Sequence, residues 1–265
     1  MKSLIKRWFY TLAPQTATAF FSARSRAHSH RVVQIWGASK LNQELISRLG
    51  RQVLSGPFKG MELTSETEKE QLGPYLLGTF EFEIQPWVEA ACQKRYSTFV
   101  DVGAKFGFYS VGFARRCPEA RSLAFDTDHW ARKAMREMSI ANETKNVEIL
   151  GYCSREWIVD KLPANSFVLS DCEGYESVLF SSVSPSLKSA TLLIETHDHE
   201  VENTSVMLKE RFSATHRIKE VISGTPRTSS VDLSFLSLKD QSAVIQEVRH
   251  EQTWLLATPR ESTNE

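Results

Sequence analysis

The sequence predicts an α/β fold: a doubly wound, Rossmann-like sheet, mostly parallel with an antiparallel closing strand, preceded by an N-terminal helical extension. Two observations carry this. From residue 97 onward, short apolar runs rich in β-branched and aromatic residues alternate with segments of helical period, the pattern of parallel crossover units. Glycine turns and acidic residues follow several of the strand-like runs, as they do where an open sheet binds ligands at its carboxyl edge. The chain has 265 residues, 41% of them hydrophobic, enough for a sizeable core.

The elements follow in order. Apolar and basic residues mix in the first 30 positions, and Pro14 divides them into short amphipathic helices. Gly56-Pro57 and Gly60 punctuate a short hairpin within 52–63, and Pro86 suits the first turn of a helix in PWVEAACQKR. STFVDVGA is a buried strand ending in a glycine turn, and GFYSVGFARR is a helix stopping before Pro118. RSLAFD is a second strand and HWARKAMREMSIAN the helix after it. VEIL and SFVLSD are further strands, YESVLFSS a helix, ATLLIET a fifth strand and ENTSVMLKERF a helix. HRIKEVI and QTWLLAT close the sheet, with a Ser-rich polar surface excursion at 223–247 before the last.

Lysine plus arginine equal aspartate plus glutamate at 32 each, but the balance is uneven: residues 1–43 hold seven basic residues and no acid. No apolar run approaches the ~18 residues of a membrane span, and the zero net charge argues against a general nucleic-acid binder. The basic stretch is compatible with a targeting segment, a peripheral contact to a membrane or another anionic surface, a basic lip over an anionic ligand, or a cap on the fold. Being outside the motif-bearing region, it is expected to be dispensable for cofactor binding. Cys92, Cys117, Cys153 and Cys172 lack zinc spacing and read as free thiols of a cytoplasmic protein.

The chemistry sits at the strand ends. After the first strand, Asp101-Val-Gly103-Ala-Lys105-Phe-Gly107 lacks the G-x-G-x-x-G of a dinucleotide site, and an acid two residues before the glycine suits a ligand with a cationic end. Asp126 ends the second strand, 19 residues beyond Gly107, where an acid commonly holds a ribose hydroxyl, and Asp128 caps the next helix. Asp171, Glu173 and Glu176 follow the fourth strand, and Glu195, His197 and His199 stand at the fifth.

In combination and order, these motifs resemble the FkbM family of S-adenosylmethionine-dependent methyltransferases. DVGAKFGFYS at 101–110 is similar to D-V-G-A-N-x-G-x-Y-S, Phe125-Asp126-Thr127 to F-E-P, and Asn142 to a helix-ending Asn. Ser170 to Glu176 resembles I-D-V-E-G-A-E, Glu195-Thr196-His197 resembles E-x-H, and the stretch from Gly78 resembles G-T-Y-E-x-E-L. Lys105, Asp126 and Thr127 depart from the pattern. The resemblance covers about 75–260 and implies S-adenosylmethionine as cofactor and O-methylation of a sugar or small natural product, so the partner is a small-molecule or glycan acceptor. It implies cofactor contacts by Asp101, Gly103, Lys105, Gly107, Asp126 and Asn142, with Lys105 able to pair with the methionine carboxylate. Asp171, Glu173 and His197 would serve catalysis, Asp171 or His197 as base, and Glu81, Glu176 and Glu195 would face the substrate or a lid spanning Tyr75 to Trp87. Three segments are expected: a basic extension over 1–50, a pre-core segment over 51–95, and a methyltransferase domain over 96–260. The same acids leave open a mixed O/N metal site of Asp171, Glu195 and His197, which spacing alone does not establish, so no metal ligand is assigned. A weakened ligand-binding scaffold and an NAD-type oxidoreductase are the rival readings.

Overall fold

The computed structural model describes residues 2–35 and 38–260, so residues 1, 36 and 37 of the basic stretch lie outside the described residues. Its centre is a seven-stranded sheet in the order β3-β2-β1-β4-β5-β7-β6. The strands are β1 (Thr98–Val102), β2 (Arg121–Phe125), β3 (Val147–Leu150), β4 (Ser166–Ser170), β5 (Thr191–Thr196), β6 (His216–Ile222) and β7 (Thr253–Pro259). β1 to β5 run parallel, and β7 is antiparallel to both β5 and β6. The antiparallel strand is thus inserted between two neighbours rather than appended at the edge.

The helices are α1 (Lys2–Leu12), α2 (Pro14–Ile35), α3 (Ala38–Leu49), α4 (Leu72–Leu77), α5 (Gln85–Gln93), α6 (Phe108–Arg116), α7 (His129–Ala141), α8 (Arg155–Asp160), α9 (Glu176–Leu179), α10 (Pro185–Ser189), α11 (Thr204–Phe212) and α12 (Leu238–Ile245). Pro14 opens α2, where its missing N–H costs nothing, so the chain bends there and then continues as one long helix. Asp128 caps α7 by accepting from the Trp130 amide at 2.9 Å, as its position predicts.

Side-chain alternation along the central strands builds two cores. Phe99, Phe167 and Leu193 point to one face and pack with Phe113 and Trp254. Val100, Val168, Leu192 and Ile194 point to the other and pack with Tyr175, Leu179 and Phe212. Every residue of β1, β4 and β5 is buried, which explains their unbroken apolar runs.

The stretch 223–247 is not a simple surface excursion. It contains α12, and Leu233, Leu236 and Val244 are buried in the first core. α12 approaches α4 so closely that a Cβ on Gly73 would stand 2.2 Å from the Val244 carbonyl oxygen. The polar residues between these anchors disguise the packing.

Candidate active site

Parallel pairing in the order β2-β1-β4-β5 aligns four carboxyl-terminal strand ends side by side. Gly103, Asp126, Asp171 and His197 follow those strands, at the point where the sheet order reverses. Gly103 has φ +90°, and a Cβ there would lie 1.8 Å from the Asp171 carbonyl oxygen. Glycine is therefore what lets the first loop rest against the fourth, joining two otherwise separate motifs.

Asp126 is buried and accepts the amides of Lys105 at 2.8 Å and Asp128 at 2.7 Å, one on each carboxylate oxygen. Burial pushes its carboxyl up to about 6, against those hydrogen bonds. A cleft of about 510 Å³, counting the part open to solvent, is lined here by Gly103, Lys105, Asp126, Trp130, Asp171 and Glu173. A second cleft of about 760 Å³, likewise partly open, shares Lys105, Asp171 and Glu173 with the first. Tyr75, Phe80, Glu81, Glu195, His197, Glu247 and Arg249 continue its wall.

On the wall of the second cleft, carboxylates surround His197, which is 2% exposed. Its Nδ1 lies 2.9 Å from Glu176 Oε1, and Nε2 lies 3.3 Å from Asp171 Oδ1 and 3.8 Å from both Glu173 and Glu195. Glu176 Oε1 also accepts the Cys172 amide at 2.9 Å, which fixes the carboxylate and through it the ring. Burial alone would lower the His197 pKa, but Glu176, Glu173 and Asp171 outweigh it and hold the imidazole at about 10. Asp171 is raised to about 6, by burial and by Glu173 and against the pull of His197. At neutral pH the pair is a carboxylate beside an imidazolium. The cluster thus favours the proton on His197 rather than on Asp171.

Asp171, Glu195 and His197 each present one possible ligand atom within 4.8 Å of the others. A divalent cation there would have to displace the proton that the carboxylates hold on His197.

Other sequence-selected residues have different surroundings. Asp101 is 1% exposed, accepts a hydrogen bond from Ser110, and lines neither cleft; burial, with Asp171 and Asp126 nearby, raises its carboxyl to about 7. Gly107 has φ +89° and starts α6 against Met135. Asn142 is not brought to the cleft: its amide accepts from Glu62 N at 2.8 Å and donates to Glu62 O at 2.8 Å, tying the end of α7 to the pre-core segment. The Lys105 ammonium is 2.8 Å from the buried Glu70, so a methionine carboxylate would have to share it with that pair. Glu81 is held by Tyr109 and by Arg249 at 3.0 Å, and Arg249 also pairs with Glu195.

The basic N-terminal stretch reaches the first cleft, which no sequence motif indicates. Ser22, Ser25 and Arg26 of α2 line the first cleft. Ser25 donates to Glu173 Oε1 at 2.7 Å, Arg26 pairs with Asp128 at 2.6 Å over the Trp130 ring, and His30 lies 3.4 Å from Glu70. No sequence motif marks these residues or Arg249; a long acid-free helix is the only hint that something anionic lies beneath it.

No protein-family model matches the chain, and no curated protein matches it. Among solved structures it is similar to precorrin-6y C5,15-methyltransferase from Geobacter metallireducens, at 12% identity over 66% of this chain and 89% of that one, with a TM-score of 0.46. It is also similar to the O-methyltransferase TomG from Streptomyces achromogenes, solved with SAM, at 13% identity over 69% and 89% of the two chains and a TM-score of 0.43. TrmK from M. capricolum, in complex with S-adenosyl-homocysteine, gives 12%, 66% and 68%, and 0.44. At this similarity none of them assigns a residue role in this chain.

Proposed function

We propose that the protein is an S-adenosylmethionine-dependent methyltransferase of the FkbM type, acting on a hydroxyl of a sugar or small natural product. The observation that carries the reading is the junction of two clefts at Lys105, Asp171 and Glu173, with Asp126 on the wall of the first and the His197 cluster on the wall of the second. A cofactor cleft and an acceptor cleft must meet at the reacting atoms.

The residues present fit the cofactor. Asp126 keeps spare lone pairs for ribose hydroxyls after taking two amides, and the 103–107 loop lies where the methionine end would run. Asp171 and Glu173 favour a cationic centre at the junction. Bound there, the cofactor supplies a methyl group already activated on a sulfonium. What remains is to orient the acceptor, exclude water and remove a proton. Asp171 is the base on this reading, because it is ionised above about pH 6, and His197 is a positioning imidazolium. Glu81, Glu195, Glu247 and Arg249 give this wall polar edges, and Tyr75 stacks on Phe80 with centroids 4.0 Å apart. Such a wall suits a polyhydroxylated ring.

The test is transfer of labelled methyl from S-adenosylmethionine into glycan and metabolite extracts. Label should enter a hydroxyl-bearing acceptor and fall at least about a hundredfold in Asp171→Asn, the lower end for a general base. Undiminished transfer by that variant would remove Asp171 as base. Label found only on nitrogen or carbon would overturn the acceptor class.

A further inference from the structure

We infer that the outward face of α1 is a docking surface for an anionic lipid bilayer. α1 is inverted relative to a helix at rest in water. Its inward side carries Lys6 and Tyr10, both buried: Lys6 pairs with Glu200 at 2.9 Å, and Tyr10 donates to the Glu173 carbonyl at 3.0 Å. Its outward side carries Ile5 at 59% exposure, Trp8 at 61%, Phe9 at 36% and Leu12 at 62%. At 3.6 residues per turn these four fall in an arc of about 100°. Phe20, 58% exposed on α2, which packs beside α1, adds to the apolar surface. A cluster of large apolar side chains of this kind marks an interaction surface rather than scattered surface hydrophobes.

Charge selects the occupant. Of the seven basic residues among the first 43, Lys6 and Arg26 are spent on Glu200 and Asp128, whereas Arg24 and Arg31, exposed on α2, fall within about 40° of Phe20 at 3.6 residues per turn. Exposed Arg7, off the arc, lies near enough to Arg211 to disfavour its charge, in addition to the effect of burial. Two copies meeting through α1 would bring these cations together, a like-charge cost. A bilayer with anionic headgroups instead neutralises them while Trp8, Phe9 and Leu12 enter the acyl boundary, the arrangement of an interfacial helix. This inference does not depend on the methyltransferase reading.

The test is co-sedimentation of the full chain with vesicles of phosphatidylcholine alone and of phosphatidylcholine with a quarter phosphatidylglycerol. Binding is expected to the anionic vesicles, to weaken with salt, and to drop at least tenfold, roughly, in Trp8→Ser/Leu12→Ser, which removes two large apolar side chains. Arg7→Glu, with the arc intact, should weaken binding to the anionic vesicles only. Both variants change exposed positions, and an unaltered melting curve checks that they fold. Absence of binding to anionic vesicles, or equal binding to both lipids, overturns the inference. So does a solution dimer that the Trp8→Ser/Leu12→Ser change dissociates, because a second copy would then cover the face.

Discussion

Replacing Glu176 by Gln should move the titration of His197 while leaving its geometry almost untouched. Glu176 is fully buried, and its Oε1 accepts from His197 Nδ1 and from the Cys172 amide, both at 2.9 Å. A glutamine oxygen can accept the same two hydrogen bonds, and the amide NH2 takes the place of Oε2, which has no partner, so the change felt by the ring is chiefly one negative charge. Unit charges about 4 Å apart interact by roughly 4 kcal/mol at an effective dielectric constant of ~20. At about 1.4 kcal/mol per pH unit, that lowers the His197 midpoint by roughly three units, from about 10 to near 7. The consequence for stability has a definite sign. In the wild type the folded-state pKa is raised, so the imidazolium's contribution is complete below about pH 6.5 and is lost as pH climbs through about 10. In Glu176→Gln that loss should be complete near neutrality. Imidazole resonances of the folded protein followed by NMR across pH 5 to 11 (roughly the range of both midpoints) read the change directly. A wild-type midpoint near 6.5, or a variant midpoint within half a unit of the wild type, would refute the electrostatic account. A wild-type midpoint near 6.5 would also reopen His197 as the base.

Three further outcomes follow from the packing. Gly103→Ala drives a Cβ to within 1.8 Å of the Asp171 carbonyl oxygen at φ +90°, so it should cost more than about 2 kcal/mol in chemical denaturation and abolish cofactor binding. Arg227→Met removes the guanidinium 3.1 Å from Glu83 and 3.2 Å from Glu247, all three side chains buried; Glu247 keeps Arg249 at 3.4 Å, but stripping Glu83 of its cation should cost about 3–5 kcal/mol by the same assay. Removing residues 1–35 takes away Ser22, Ser25 and Arg26 from the first cleft, and should weaken S-adenosylhomocysteine binding at least tenfold (about 1.4 kcal/mol) in calorimetry; unchanged affinity would return the N-terminal helices to the status of a cap.

Much of the sheet is legible in the sequence because buried parallel strands such as FVDV and FVLS write continuous apolar runs, and their ends carry glycine or acid. The insertion of β7 between β5 and β6 is not, since antiparallel pairing over long separations leaves no local trace. YESVLFSS reads as one helix, but only Glu176–Leu179 is helical, with α10 following separately at Pro185. α8 was too short to show a period. In the site, Asp126, Asp171, Glu173 and His197 are legible because each follows a strand on one edge. Arg249 and Glu70 are not, because they arrive from polar connections whose packing depends on Val244 and Leu72. The sign of the His197 titration is equally hidden: its four carboxylate neighbours are up to 26 residues away in sequence, and only the fold gathers them. Asn142 shows the opposite failure, a motif-like position spent on holding Glu62.

The most direct test of the account is calorimetry of the full chain with S-adenosylhomocysteine and, separately, with NAD. Saturable binding of S-adenosylhomocysteine alone is predicted, lost in Asp126→Ala with the fold retained by circular dichroism. No binding of S-adenosylhomocysteine to folded protein, or preferential binding of NAD, would contradict it.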